Sequence, residues 1–104
     1  VNGMSDKNIY DVQEIRRRLE PVFAQNGVKS AVLFGSYAMG TANPESDVDI
    51  LVDSGLRGLD FCGLVEYIHV ALGKKVDVID SYYVKPDSRI THEISATGVQ
   101  IYER

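Results

Sequence analysis

The chain predicts an α/β (α+β) fold: one small domain whose mixed sheet carries helices packed on it. Three observations support this. Short apolar runs of strand length alternate with longer stretches of helical periodicity. Glycine and asparagine-glycine punctuate the junctions. At 104 residues and 44% apolar content the chain can build a single core but is too short for a second domain.

The elements follow in order. From Tyr10 to about Gln25, Val12, Ile15, Leu19, Val22 and Phe23 recur at helical spacing, and Asn26-Gly27 is a stop signal. Ser30–Phe34 carries the run Ala31-Val32-Leu33-Phe34, which reads as a buried strand. After it, Tyr37–Gly40 has room for one helical turn. A second strand is expected near Asp47–Val52, beginning at Ser46, with these two strands in the middle of the sheet. Leu59–Leu72 reads as a helix with Leu64, Val65, Ile68 and Leu72 toward the core, Gly73 as its stop and Cys62 expected in the core. A third strand is expected around Lys75–Ile79. A short helix from Pro86 to about Thr97 follows, then Gly98 and the apolar edge strand Val99–Tyr102.

Bulk properties narrow the class. The formal net charge of −4 disfavours extended phosphate-backbone binding, so no direct contact with nucleic acid is expected. The lone Cys62 excludes an internal disulfide and fits a reducing cytoplasm. No run approaches the roughly twenty apolar residues that cross a bilayer, so no membrane association is expected. Val1-Asn2-Gly3 before Met4 reads as an expression remnant, which sets the expected domain at residues 4–104.

The chemistry concentrates between Gly35 and Val52. Gly35-Ser36 ends the first strand where a backbone can turn tightly, and a following helical turn points its N-terminus at the same place. Such a turn suits a phosphate, with Ser36 Oγ as an added donor. Strand alternation then sets Asp47 and Asp49 on one face and Val48, Ile50 and Val52 on the other. Two adjacent carboxylates call for a cation or a shared proton, and hard oxygen ligands beside a phosphate suit Mg²⁺, or Mn²⁺.

The segment Gly35-Ser36-Tyr37-Ala38-Met39-Gly40 with Ser46-Asp47-Val48-Asp49-Ile50-Leu51-Val52 resembles the signature of the DNA polymerase beta-like nucleotidyltransferases. The short chain is similar in particular to the minimal nucleotidyltransferases, antitoxins of the HEPN/MNT type. The resemblance implies a third carboxylate on a later strand. Asp77 is the choice, because Val76 and Val78 would share the buried face and leave Asp77 toward the site; Asp80 at the strand end is the alternative and could equally be a turn or cap residue. It implies Asp47, Asp49 and Asp77 as catalytic and metal-binding residues, Gly35 and Ser36 as nucleotide-binding residues, and ATP as the substrate. It also implies a HEPN toxin as the protein partner that receives the nucleotide. One position departs from the pattern, since Met39 stands where the family frequently has Arg.

Two other function classes are compatible with these residues: a binding module that neutralises its partner by contact alone, and a transferase acting on a small molecule such as an antibiotic. His69 and His92 lack metal-ligand companions, which rejects zinc. Arg16-Arg17-Arg18 steps round its helix by about 100° per residue and reads as solvated surface. Tyr82-Tyr83 suits packing or base stacking, Lys85 suits an exposed loop, and the terminal edge strand leaves a homo-oligomer open.

Overall fold

The computed structural model describes residues 9–104; the expected remnant at residues 1–3 lies outside the described residues. The order is α1 (Val12–Gln25), β1 (Ser30–Phe34), α2 (Ser36–Met39), β2 (Val48–Asp53), α3 (Gly58–Leu72), β3 (Val76–Asp80), a 3₁₀ turn (Ser81–Tyr83), α4 (Arg89–Thr97) and β4 (Val99–Glu103). The four strands form one mixed sheet in the order β3-β2-β1-β4, which puts β1 and β2 in the middle. β1 runs antiparallel to both β2 and β4, whereas β2 and β3 are parallel and joined by the α3 crossover.

One hydrophobic core holds the domain. Ile15, Leu19 and Phe23 of α1 and Leu64, Ile68 and Leu72 of α3 are buried together against Ala31 and Leu33 of β1, Val48, Ile50 and Val52 of β2, and Ile101 of β4. The three apolar β2 residues are fully buried and alternate with Asp49, Leu51 and Asp53 on the opposite face. Helix ends are capped by local chemistry. Asp11 accepts from the Glu14 amide at the start of α1, and Gly73 takes the left-handed conformation that closes α3.

α3 corrects two expectations. Cys62 is exposed rather than in the core, and Val65 is half-buried and outside the core cluster. The reason is angular: Leu64, Ile68 and Leu72 define the buried stripe, and Cys62 lies two residues, about 200°, from Leu64. Because α3 is apolar nearly all the way round, composition does not reveal which face is inward. Leu59, Tyr67 and Val70 are likewise exposed on it.

Strand β2 starts at Val48, two residues later than Ser46. Asn43 and Ser46 bond reciprocally across a turn, with the Ser46 amide donating to the Asn43 carbonyl and the Asn43 amide to Ser46 Oγ. The ladder resumes only after it. The arginine run is committed to local surface contacts: Arg16 donates to the Gln100 carbonyl of β4, while Arg17 and Arg18 pair with Glu14. Arg18 also lies over the Tyr10 ring.

Candidate active site

At the end of β1 the chain enters Gly35 with φ 74° and ψ −152°, a combination essentially restricted to glycine. Ser36 then opens the one-turn helix α2. The turn is held by Met39 N–H donating to the Gly35 carbonyl and Thr41 N–H donating to that of Ser36. Phe34, the last residue of β1, pairs in register with Asp49 of β2, and Asp49 pairs in register with Asp77 of β3. Position 35 lies directly against Asp49, because a Cβ built there would sit inside contact distance of Asp49 Oδ2.

The charge distribution is unbalanced. The Asp49 carboxyl is pushed up to about 6, first by burial and then by the neighbouring charges of Asp77, Asp47 and Glu93. Asp47, in the loop just before β2, and Asp77 are exposed. Among the described residues, no ion pair reaches Asp47, Asp49 or Asp77. Also among them, no three His, Cys, Asp or Glu side chains converge into a ready-made metal cage. A partial oxygen set is what Mg²⁺ commonly meets in protein, where substrate phosphates and waters complete its shell. The donor chemistry and the uncompensated carboxylates therefore fit a divalent cation held with a nucleotide.

Asp80 belongs to a different structure. It is buried, accepts from Ser54 Oγ, the Ser54 amide and the Tyr82 amide, and has Arg57 at 3.9 Å. Arg57 in turn lies 3.8 Å from the Tyr82 ring centroid and 5.6 Å from that of Tyr83. These tyrosines follow the C-terminal end of β3, where they pack against Arg57 and each other.

The chain matches the family model described as polymerase beta, nucleotidyltransferase over residues 17–104. It belongs to that nucleotidyltransferase family. A Methanocaldococcus jannaschii protein assigned as a protein adenylyltransferase is 38% identical over 78 residues, covering 73% of this chain and 84% of the relative. A solved structure described as a minimal nucleotidyltransferase superposes with a TM-score of 0.69 at 29% identity, covering 86% of this chain and 95% of that one. The fold is also that of the MNT antitoxin structure solved in complex with a tri-AMPylated Shewanella oneidensis HEPN toxin. There the TM-score is 0.67 at 21% identity, with coverage of 89% and 73%. The sheet with its helices is the nucleotidyltransferase fold, and the protein is a nucleotidyltransferase.

Two nucleotidyltransferase residues near the site escaped sequence reasoning. Glu93 of α4 adds its charge to the field at Asp49, and Thr97 Oγ1 accepts from the Gly35 amide at 3.3 Å. Both come from α4, well downstream of β2 in the sequence, so no local motif announces them. Met39 is exposed and lines an open cleft of about 480 Å³ with Ile9, Tyr10 and Tyr37, which includes none of Asp47, Asp49 and Asp77. Among the described residues, no helix is long and apolar enough to cross a membrane.

Proposed function

We propose that this nucleotidyltransferase moves AMP from ATP onto a hydroxyl of a partner protein, and that the partner is a HEPN-type toxin which it restrains as an antitoxin. One observation carries the catalytic half: Asp49 is packed against the Gly35 turn and set in register with Asp77, its charge uncompensated by any described cation. Gly35 and Ser36 bind the phosphates at the turn, and Asp47, Asp49 and Asp77 hold Mg²⁺ or Mn²⁺. A divalent ion bound there supplies charge neutralisation on the triphosphate and lowers the pKa of a coordinated hydroxyl. Asp77, the exposed member of the register pair, orients the acceptor hydroxyl and takes its proton. The acceptor oxygen bonds to the α-phosphorus as the bond to the bridging oxygen breaks, and pyrophosphate leaves.

The acceptor class rests on relationship. The M. jannaschii relative is assigned as a protein adenylyltransferase, and the Shewanella complex pairs the same fold with an AMPylated HEPN toxin. The net charge of −4 also suits a protein acceptor better than a nucleic-acid end. Neutralisation by contact alone is the second reading, favoured by Met39, which stands where the family frequently has Arg.

Intact-mass spectrometry of the HEPN partner, incubated with this chain, Mg²⁺ and each nucleoside triphosphate in turn, separates the two. An AMP-sized gain lost in Asp47→Asn/Asp49→Asn establishes transfer. A stable complex without mass gain, with Mg²⁺-triphosphate binding confirmed, points to contact-only action or a different acceptor.

A further inference from the structure

Gly35 is the hinge of the nucleotide turn, and its backbone is held by a side chain from outside the motif. The Gly35 amide donates to Thr97 Oγ1 at 3.3 Å across 62 residues of sequence, in a half-buried setting. The hydroxyl hydrogen of Thr97 is already committed, because it donates to the Glu93 carbonyl at 3.0 Å. The Thr97 oxygen is thereby fixed as an acceptor aimed at the turn.

The end of α4 that carries Thr97 is independently seated. Gly98 follows at once, its amide donating to the Ile94 carbonyl at 2.8 Å. A Cβ at position 98 would fall 2.5 Å from that carbonyl oxygen and 3.0 Å from Val32 Cγ1. The helix's own Ile94 carbonyl leaves no room for a Cβ at position 98, and Val32 of β1 lies beside it. Thr97 is presented by a packed helix end rather than a free loop.

We propose that Thr97 is a positioning residue of the nucleotide site: its hydroxyl fixes the peptide plane at Gly35 and so the aim of the Gly35-Ser36 turn at the nucleotide's phosphates. The proposal rests on the functional reading above. A glycine in this conformation has no side chain to resist peptide rotation, so an external hydrogen bond is what preorganises the turn. Thr97 acts on the site through Gly35, to which its hydroxyl oxygen is bonded.

The test compares wild type, Thr97→Val and Thr97→Ser. Affinity for an α,β-nonhydrolysable ATP analogue with Mg²⁺ is measured by calorimetry, and hydrogen exchange at the Gly35 amide by NMR. Loss of the acceptor in Thr97→Val weakens nucleotide binding about three- to tenfold, the worth of one hydrogen bond, and accelerates Gly35 exchange. Thr97→Ser restores both, which a purely packing role would not do. Thr97→Ala replaces the valine variant if that one does not fold. Wild-type affinity in the folded hydroxyl-free variant overturns the proposal. Should wild type itself bind no nucleotide, the functional reading fails; unchanged Gly35 exchange overturns the Thr97 link whether or not nucleotide binds.

Discussion

The carboxylate of Asp49 fills the space that a side chain at position 35 would need, so Gly35 and Asp49 form one structural unit. Residue 34 pairs with Asp49 across the β1–β2 ladder, and the turn begins at the next residue. The glycine serves two separate requirements, its backbone conformation and its proximity to the carboxylate.

Gly35→Ala violates both. The φ of 74° with ψ of −152° costs a non-glycine residue about 1–3 kcal/mol, before any displacement of Asp49. Transfer activity is expected to fall on the order of 100-fold, because a misplacement of about 1 Å at a phosphoryl-transfer site costs that much. Urea denaturation of Gly35→Ala, Asp49→Ala and the double variant checks the coupling. The double variant should be more stable than the sum of single effects predicts, since removing the carboxylate relieves the crowding.

The raised Asp49 pKa fixes the sign of a pH effect. The folded state holds this proton up to about 6, against 3.8 for the ordinary group. The group therefore adds stability at low pH that is lost as the pH rises through about 6. In EDTA, Asp49→Asn should remove that decline and be the more stable protein at neutral pH. Added Mg²⁺ should raise the wild-type denaturation midpoint above pH 6 and leave the Asn variant nearly unmoved. Superimposable pH profiles for the two proteins would show that Asp49 is not the titrating group.

Much of this site is readable along the chain because it is local. The Gly35-Ser36 turn and the Asp47-x-Asp49 spacing lie within fifteen residues, and strand alternation alone separates Val48, Ile50 and Val52 from Asp49. The pairing of Asp49 with Asp77 needs only that β3 lie parallel to β2 after one helix. Glu93 and Thr97 were hidden for the opposite reason. Their contributions depend on where α4 settles against β1, and α4 fully buries none of its residues, so no core stripe announces that placement. Cys62 misled because an all-round apolar helix carries little directional signal.

The exposure of Cys62 has a direct chemical consequence. In the folded protein it should react with a small aromatic disulfide reagent at one thiol per chain without denaturant. Circular dichroism before and after labelling should be unchanged. Reaction only after addition of urea would place the thiol in the core.

Asp77 and Asp80 lie three residues apart on one strand and should respond to mutation in opposite ways. Asp80 is 2% exposed and is the acceptor for the Ser54 amide, the Ser54 hydroxyl and the Tyr82 amide. Asp80→Ala strands those donors in a buried place and leaves Arg57 without its carboxylate, a loss of about 2–4 kcal/mol in urea denaturation. Asp77 is exposed beside other carboxylates, so Asp77→Asn should change stability by no more than about 0.5 kcal/mol. Its transfer rate should nevertheless fall by about 10²–10⁴-fold, the range for losing a positioned base. Nucleotide affinity measured beside the rate completes the comparison, because loss of the acceptor-activating group leaves binding largely intact. A stable, fully active Asp77→Asn would remove the third carboxylate from the mechanism and leave Asp47 and Asp49 to carry it.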